Sequence, residues 1–227
     1  MKTFASRYSA VAALLIGSLF PATVFAQSAP ASSRAGSSRP SIGIFGMFDR
    51  TMIASRQSFD AVFDTHTISS LGGGVDVVNL WKGVFLRVDG SSSTLTGERV
   101  VVFNGDVFAL GIPLTVTLRP IEVGGGWRLA SNDPRARFSP YAGVSAIILK
   151  YTETSDFADA DENVDESYTG VGVFGGVDVR LVKQVFAGVE AQYRSITSAP
   201  GPDSVAASFN EKNLGGTVLR VRFGIRF

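Results

Sequence analysis

The sequence lacks cysteine and holds a single histidine, His66, among its 227 residues. The absence of cysteine excludes a disulfide framework and a thiolate metal site. After residue 26, no apolar run approaches the roughly 20 residues that a membrane-spanning helix needs. Hydrophobic residues nevertheless make up 45% of the chain. Such a composition without a spanning helix is typical of alternating β-strands.

An excess of charge of either sign is also lacking. The chain has 21 Lys and Arg residues against 20 Asp and Glu residues, a net charge of +1. Without Lys2 and Arg7, which lie in the N-terminal segment described next, 19 basic residues face 20 acidic ones. A near-neutral chain does not indicate a nucleic-acid partner, and we expect none.

The first 26 residues have the pattern of a secretory signal peptide. A short basic segment precedes an apolar stretch at residues 11–20, and a small-x-small pattern ends at Ala26. We expect cleavage after Ala26, with an uncleaved anchor helix as the alternative. The next segment, 27–41, is rich in Ser, Ala and Pro and is interpreted as a flexible periplasmic leader. Residues 42–227 are interpreted as one domain.

Period-two alternation of residue types predicts eight strands in this domain. The clearest is the last, in which apolar residues alternate with Arg220, Arg222 and Arg226. The eight strands are predicted near residues 42–50, 71–80, 83–90, 108–119, 141–151, 168–181, 185–196 and 214–227. The apolar face of the fourth strand is assigned to Leu110, Ile112, Leu114, Val116 and Leu118. Residues 122–129 either extend that strand or form an extra hairpin, so a ten-stranded count stays open.

The lengths of the connectors give a second signal. Tight connectors at residues 81–82 and 183–184 alternate with long ones, which lie at residues 51–70, 91–107, 152–167 and 197–213. The connector at residues 120–140 breaks this pattern. This alternation is typical of short periplasmic turns and longer extracellular loops in an outer-membrane barrel. It places both termini on the periplasmic side.

The strands have one aliphatic face and one face of glycine and mixed charges, which is compatible with a soluble barrel or with a barrel in lipid. Three observations favour lipid: the crowding of glycine on the polar face, the signal peptide, and aromatic residues at strand ends. These aromatic residues, interpreted as an interfacial girdle, are Tyr141, Tyr151, Tyr168, Tyr193 and Phe227. The predicted fold is therefore an all-β, up-and-down antiparallel transmembrane β-barrel.

The chain resembles the small bacterial outer-membrane β-barrel proteins, the family of the OmpA-type transmembrane domain, OmpX and OmpW. The resemblance covers residues 42–227 and is carried by Phe138–Val144, by the hairpin from Gly170 to Tyr193 and by the final strand. It implies a monomer in the outer membrane, in contact with membrane lipid and lipopolysaccharide. It also implies recognition by periplasmic chaperones and by the barrel-assembly machinery, which reads the C-terminal strand. The implied assembly signal is Phe223, Ile225 and Phe227.

Charged residues on the inward face are the strongest candidates for a functional network. An unpaired charge in a narrow dry interior costs several kcal/mol, so these residues are expected to form ion pairs. The expected network consists of Asp178, Arg180, Glu190, Arg194, Arg220, Arg222 and Arg226. A structural plug is the favoured interpretation, and a gated or narrow aqueous path is the alternative.

Two other motifs resemble ligand-binding sites but lack residues that those sites need. The sequence Asp159-x-Asp161-x-Asn163 imitates a calcium loop, but Val164 and Gly170 stand where glycine and glutamate are needed. The acidic stretch around it is interpreted as a solvated loop, with weak divalent-cation bridging to lipopolysaccharide as the alternative. The glycine triplets at 72–74 and 124–126 lack the residues of a phosphate loop and predict strand bends or bulges.

The predicted function is that of an integral outer-membrane protein with a structural or surface-interaction role. A small OmpW-like channel for apolar solutes is the first alternative. A lipid-modifying enzyme is the second, and only His66 could carry it. Ile68 occupies the position where the lipid A deacylases have the serine of a His-x-Ser pair. The sequence therefore predicts no enzyme, no cofactor and no metal.

Overall fold

The computed structural model describes residues 40–129, 136–155, 163–198 and 205–227. Their strands are β1 Ser41–Ile53, β2 Thr67–Val78, β3 Val84–Phe103, β4 Asp106–Arg128, β5 Phe138–Thr154, β6 Val164–Arg180, β7 Val185–Ile196 and β8 Gly216–Arg226. Helix α1, Arg56–Phe63, follows β1, and the short helix α2, Val205–Ser208, precedes β8. The predicted signal peptide lies outside the described residues.

The strands form one closed barrel in chain order, each antiparallel to its neighbours. The first and last strands close it, and Phe227 N donates to Ile42 O at 2.9 Å beside the paired strands. The predicted eight-stranded, all-β, up-and-down barrel is therefore confirmed. The ten-stranded alternative is wrong, because residues 122–127 continue β4 in unbroken pairing with both β3 and β5.

Alternation along each strand separates an apolar outer face from a polar inner face. In β8, Leu219, Val221 and Phe223 are more than half exposed, whereas Arg220 and Arg222 are 1% exposed. Successive side chains of a strand point to opposite faces, so this pattern needs no distortion of the backbone. The barrel therefore has an apolar exterior and a charged interior, the reverse of the distribution in a water-soluble protein.

We call the end of the barrel at which β1 begins and β8 ends the terminus end, and the opposite end the loop end. At the loop end, β3 and β4 are joined by Asn104 and Gly105, whose φ angles are 53° and 90°. Positive φ at both positions is the requirement of a two-residue hairpin turn, which Asn-Gly satisfies. The predicted long loop at 91–107 is therefore wrong, because nearly all of it belongs to β3 and its turn.

The barrel wall has unequal heights at the loop end. Pairing of β2 with β3 stops at Leu71 and Ser92, whereas β3 and β4 stay paired as far as Phe103 and Asp106. Strands β5 and β6 are also paired to Glu153 and Val164. Strands β3 to β6 thus form a tall wall that rises above the other four. The predicted loop at 152–167 is strand at both ends for the same reason.

Helix α1 packs against the inner side of this tall wall. A Cβ atom on Gly97 of β3 would clash with Val62 O and would lie 2.7 Å from Phe63 Cδ1. Glycine at this position therefore lets the helix approach the strand backbone closely. Neither α1 nor any other helix of the described ranges is long and apolar enough to cross a membrane.

The face of β4 assigned from sequence is wrong in its central part. Leu114, Val116 and Leu118 are buried inside the barrel, while Arg119 is exposed on the outside. A register irregularity between Glu98 and Val100 occurs opposite Gly111, whose φ is +67°. An irregularity of this kind reassigns the side chains on either side of it. Beyond this part, Ile121, Val123 and Trp127 form an apolar row on the outer face of β4.

The aromatic girdle assigned from sequence is also wrong in part. Tyr141 is buried in the interior, and Tyr151 and Tyr168 lie on the same inward faces of β5 and β6. Of the five assigned residues, only Tyr193 and Phe227 are on the outer face. Strands β5 and β6 occur near their predicted positions, but the alternation turns these three tyrosines inward. Trp81 and Trp127, in edge contact at 6.4 Å between ring centroids, instead mark the terminus end of the exterior.

The two glycine triplets are regular strand and not bulges. Pairing continues without a register shift through residues 72–74 and 124–126. A Cβ atom on Gly74 would lie 2.6 Å from Asp89 Cβ and 2.8 Å from the Phe45 ring. The inward glycine therefore makes room for larger interior side chains, which corrects the predicted bend.

Candidate functional site

The middle of the barrel is filled by a layer of charged side chains that we call the charged layer. It contains equal numbers of carboxylates and guanidinium groups, drawn from seven of the eight strands. The carboxylates are Asp49, Asp76, Asp89, Glu122, Asp178 and Glu190, and the guanidinium groups are Arg87, Arg128, Arg194, Arg220, Arg222 and Arg226. All except Arg226 are almost fully buried.

Arg220 of β8 is the hub of this layer. Its Nε donates to Asp49 Oδ1 at 2.8 Å, and its Nη2 donates to Asp49 Oδ2 at 2.9 Å. Its Nη1 lies 3.2 Å from Asp89 Oδ1 and 3.3 Å from Glu190 Oε1. Glu122 Oε1 is 3.6 Å from its Nη2. One guanidinium group thus joins carboxylates of β1, β3, β4 and β7, and the two-pronged bond to Asp49 fixes its plane.

Two further arginines complete the part of the layer nearer the loop end. Arg87 places Nε at 2.7 Å from Asp89 Oδ2 and Nη1 at 2.5 Å from Glu190 Oε2. Arg194 Nη2 lies 2.5 Å from Glu122 Oε1. The amide of Gln192 and the hydroxyl of Ser145 also donate to Glu122 Oε2, at 2.6 Å and 3.0 Å. These contacts compensate for the loss of water around the buried carboxylates.

The part nearer the terminus end is centred on Asp178 of β6. Arg222 donates to Asp178 Oδ1 from Nε at 3.0 Å and from Nη2 at 2.7 Å, and Arg128 Nη1 donates to Asp178 Oδ2. Arg226 Nη2 lies 3.0 Å from Asp76 Oδ2 and 3.4 Å from Asp178 Oδ2. Its side chain is 22% exposed, so it stands where the layer meets solvent.

Aromatic rings pack against the guanidinium groups of the layer. The Arg87 guanidinium lies 4.1 Å from the Phe174 ring centroid, and the Arg222 guanidinium lies 4.5 Å from that of Tyr141. The Tyr141 hydroxyl also donates to Glu190 Oε2 at 2.9 Å. Cation–π contacts of desolvated guanidinium groups are favourable and exclude water from the same space.

The sequence-derived network and the observed one overlap but differ in membership. Asp178, Glu190, Arg194, Arg220, Arg222 and Arg226 lie together in the charged layer. Arg180 lies apart from it, half-buried at the terminus end, where its guanidinium donates to the carbonyl of Ala136. The expected network lacked six members of the charged layer, which are Asp49, Asp76, Arg87, Asp89, Glu122 and Arg128. Continued alternation through Ile121, Val123 and Trp127 would have identified the last two.

Above the charged layer, towards the loop end, lies a second layer that we call the apolar layer. Its buried members are Ile53, Phe59, Ile68, Leu114, Val116, Leu118, Ile147, Leu149 and Ile196. Phe59 comes from α1, and the others come from the strands. The helix therefore closes the apolar layer from above.

Between the apolar layer, α1 and the tall wall lies an outer cavity of about 400 Å³. Its apolar lining includes Phe59, Val62, Phe63, Leu114 and Leu214. Its polar lining includes Ser58, Arg99, Glu153 and Glu166 together with the side chains of Tyr151 and Tyr168. The cavity is thus amphipathic, with an apolar floor and a wall that carries carboxylates.

Two tyrosine–glutamate pairs form that wall. The Tyr151 hydroxyl donates to Glu153 Oε2 at 2.8 Å, and the Tyr168 hydroxyl donates to Glu166 Oε2. The two rings meet edge to face, with centroids 6.3 Å apart. Burial and the Glu166 carboxylate raise the pKa of Tyr168 to about 12. Burial and Glu153 likewise raise the pKa of Tyr151, so both hydroxyls remain donors at neutral pH.

The start of α1 is held by a carboxylate. Glu211 accepts from the Ser58 backbone N–H at 2.9 Å, from the Ser58 hydroxyl at 2.7 Å and from the Gln57 N–H at 3.1 Å. The unpaired N–H groups of a first helical turn favour a negative charge at this place. The segment after β7 thereby fixes α1 over the lumen.

The remaining candidates from the sequence, His66 and the acidic stretch, have few contacts among the described residues. His66 is partly exposed, and its Nδ1 lies 2.9 Å from Asp60 Oδ1. Within the described ranges, no group of three or more His, Asp or Glu residues is arranged to hold a metal ion. Of the acidic stretch, Asp165 pairs with Lys150 at 3.4 Å on the surface. Most of that stretch, residues 156–162, lies outside the described residues.

The three residues of the predicted assembly signal share one face of the last strand. Phe223, Ile225 and Phe227 lie on the outer face of β8 and are 57%, 40% and 65% exposed. They form a continuous apolar row at the terminus end, as a lipid contact requires. Their role in assembly stays a prediction.

Comparison with known proteins identifies one family model, the outer membrane protein beta-barrel domain, which matches residues 12–227. Solved structures with a similar fold include a major outer membrane protein from Thermus thermophilus, at 10% identity and a TM-score of 0.50. That match covers 82% of this chain and 99% of the other.

The N-terminal β-barrel domain of Pseudomonas aeruginosa OprF is similar at 13% identity and a TM-score of 0.47, covering 82% and 97% of the two chains. Ail of Yersinia pestis, solved with the heparin analogue sucrose octasulfate, is similar at 11% identity and a TM-score of 0.48, covering 83% and 97%. At these identities the structural matches show the fold alone. No curated protein matches the chain.

Proposed function

Because the chain belongs to the outer membrane protein beta-barrel domain family, we propose that it is an integral outer-membrane barrel with a sealed lumen. Its role is structural or interactive at the cell surface. The observation that carries this proposal is the charged layer, in which buried carboxylates and guanidinium groups from seven strands neutralise one another across the barrel.

The exterior supports a position in lipid. Exposed Val, Leu, Ile and Phe side chains surround the barrel, with the two tryptophans at the terminus end. A contiguous exposed apolar surface of this extent is a liability in water and a requirement in a bilayer. With the terminus end in the periplasm, the tall wall, α1 and the outer cavity face the outside. Purified protein should therefore remain folded and monomeric in detergent or lipid and aggregate in plain buffer.

The interior supports a closed lumen. An ion that crossed the barrel would have to separate buried pairs such as Arg222–Asp178 and then pass the apolar layer. Eight strands enclose a space only just wide enough for side chains, and here that space holds arginines and aromatic rings. Two consecutive barriers of different chemistry oppose both ions and water.

Conductance across a planar lipid bilayer tests this proposal. Refolded wild-type protein should give no discrete openings under conditions in which an added porin does. Regular openings of the wild-type protein would contradict the sealed lumen and favour the channel alternative. Far-UV circular dichroism of the same sample and its shift in electrophoretic mobility on heating verify that the barrel is folded.

A channel for apolar solutes is supported by one observation, the greasy floor of the outer cavity. The charged layer beneath that floor opposes passage, so we rank this alternative second. Uptake of an apolar fluorescent dye into vesicles with and without the protein distinguishes the two. Equal uptake supports the sealed barrel.

We propose no catalytic role. The mass spectrum of lipid A from cells that express the wild-type protein or the variant His66→Ala tests this directly. Identical spectra, also identical to those of cells without the protein, are expected. A modification that depends on His66 would contradict the proposal.

We also propose that Phe223, Ile225 and Phe227 direct assembly as well as contacting lipid. Replacing Phe227 with serine should reduce the amount of folded barrel in the outer membrane of expressing cells. It should leave refolding of the purified protein into vesicles nearly unchanged. Loss in both assays would indicate a lipid contact alone.

A further inference from the structure

The outer cavity has features that a sealed surface barrel does not require. Its volume of about 400 Å³ is in the range of small-molecule pockets. Leu114 and Phe59 give it an apolar floor, and Val62 and Phe63 of α1 give it an apolar side. These surfaces could remove the body of an apolar or aromatic ligand from water.

The charge of the cavity is complementary to a cation. Glu153 and Glu166 line it together with one cationic side chain among the described lining residues, Arg99. Tyr151 of β5 is paired directly with Glu166 of β6, so the two tyrosine–glutamate pairs are neighbours on one wall. A concave surface with an excess of one sign attracts ligands of the opposite sign.

The tyrosines prepare the carboxylates for such a ligand. Each glutamate uses Oε2 for a tyrosine hydroxyl, and a carboxylate has about four acceptor sites, so capacity for an ammonium group remains. The hydroxyl bonds restrict the rotamers of Glu153 and Glu166 in advance. The neighbouring faces of Tyr151 and Tyr168 add cation–π attraction.

We propose that the outer cavity binds small organic cations that carry an apolar or aromatic body, such as aryl-alkyl amines. The ammonium group pairs with Glu153 and Glu166, and the body lies on Leu114 and Phe59. A carboxylate ligand would face two like charges, and a bare metal ion would leave the apolar floor against water. A neutral ligand would displace water from the two glutamates, and it would bring no opposite charge to replace that water.

Three fluorinated indoles of the same shape test the charge preference. The probes are 5-fluorotryptamine, the neutral 5-fluorotryptophol and the anionic 5-fluoroindole-3-propionate. Their binding to wild-type protein in phosphatidylcholine nanodiscs is followed by fluorine NMR, with empty nanodiscs as the blank. We expect saturable binding of the amine, at least tenfold weaker binding of the alcohol, and no saturable binding of the anion. An amine that does not saturate, or an alcohol that binds equally well, would overturn the proposal.

Matched variants test the residues. Glu153→Gln combined with Glu166→Gln should weaken amine binding about tenfold or more and leave alcohol binding unchanged. The control combines Glu98→Gln with Asp165→Asn, which removes the same charge from exposed positions outside the cavity. The control should bind the amine like wild type. An equal loss in both variants would assign the effect to net charge alone and contradict the site.

The comparison of the three probes on wild-type protein decides the question even if the glutamate variant does not fold. The site also stands independently of the sealed lumen. A conducting barrel that discriminates the amine would contradict the proposed function and leave this inference intact. A silent barrel that does not discriminate would do the reverse.

Discussion

The charged layer and the apolar layer fill the same barrel at neighbouring heights, but different forces hold them. In the charged layer, stability depends on pairing, because each buried charge has opposite charges within about 4 Å. In the apolar layer it depends on packed volume. Substitution of a single residue should therefore leave an unpaired charge in the charged layer and a cavity in the apolar layer.

The layers also differ in how they reach the interior. Members of the charged layer lie on strand segments that alternate regularly through the membrane. The apolar layer lies nearer the loop end, where the outer faces of the strands carry Arg50, Arg119 and Lys150, and it includes a residue of α1. The outer face thus becomes polar at the height at which the filling of the interior becomes apolar.

Substitution of Arg220, the hub of the charged layer, should cause the largest loss of stability. Arg220→Met keeps most of the side-chain volume but leaves Asp49 and its neighbours without their guanidinium group. An uncompensated buried charge costs about 4 kcal/mol of unfolding free energy. Urea unfolding in vesicles measures this loss. The control Arg50→Met, on the exposed outer face, should change stability by much less. A similar small change in both variants would show that the charged layer contributes little.

Truncation in the apolar layer should have the next largest effect. Ile147→Ala removes a side chain that is 1% exposed and leaves a cavity, at a cost of about 3 kcal/mol. The neighbouring Ile148 points outward and is 53% exposed, so Ile148→Ala leaves no internal cavity. The same unfolding assay compares the two. If Ile148→Ala costs as much as Ile147→Ala, the assignment of the two faces is wrong.

The junction between helix and wall gives a local test. Gly97→Ala places a Cβ atom against Val62 O, so α1 must move away from β3. A local cost of about 1–2 kcal/mol corresponds to a 5- to 30-fold increase in the open population. Cleavage by trypsin after the exposed Arg56 should accelerate by that factor. Gly90→Ala on the same strand, whose nearest neighbour would be 3.4 Å away, should not accelerate it.

Ionisation of Tyr168 gives a smaller effect, located above both layers. Because its pKa is about 12 when folded and near 10 when unfolded, its stabilising contribution is complete below pH 10. That contribution is lost as pH rises from about 10 to about 12. The difference in ultraviolet absorbance between wild type and Tyr168→Phe should show this late titration. Glu166→Gln should lower the midpoint, and a midpoint near 10 in wild type would contradict the proposed burial.

The smallest effect is expected at the surface pair of Lys150 and Asp165, whose side chains are 48% and 63% exposed. Asp165→Asn should reduce the unfolding free energy by less than about 1 kcal/mol. High salt should remove even this difference, because exposed pairs are screened. A cost as large as that of Arg220→Met would remove the distinction between buried and exposed pairs.

Much of the fold could be predicted from the sequence, because a half-buried strand repeats every two residues and this repeat survives without any knowledge of contacts. The terminal strand and β7 illustrate this. Continuity between segments could not be predicted in the same way. Leu114, Val116 and Leu118 have the pattern of a lipid-facing row, and only the irregularity near Gly111 and the length of β4 place them inside.

The charged layer could be predicted in part from the sequence for the same reason. Arg220, Arg222 and Glu190 stand on clear alternating strands, whereas Asp49 follows Phe45 and Met47 on an inward face that carries no other charge in that segment. The outer cavity could not be foreseen at all. The cavity depends on the unequal heights of the strands and on α1. Neither feature produces a repeating pattern of residue types in the sequence.

Arg220 draws partners from the first strand, from the middle of the chain and from the strand beside it. No half-built sheet can supply all of them. An incomplete barrel would present orphaned charges to hydrocarbon, and only ring closure removes that penalty. Insertion should consequently be cooperative, with few stable intermediates between the unstructured chain and the finished cylinder.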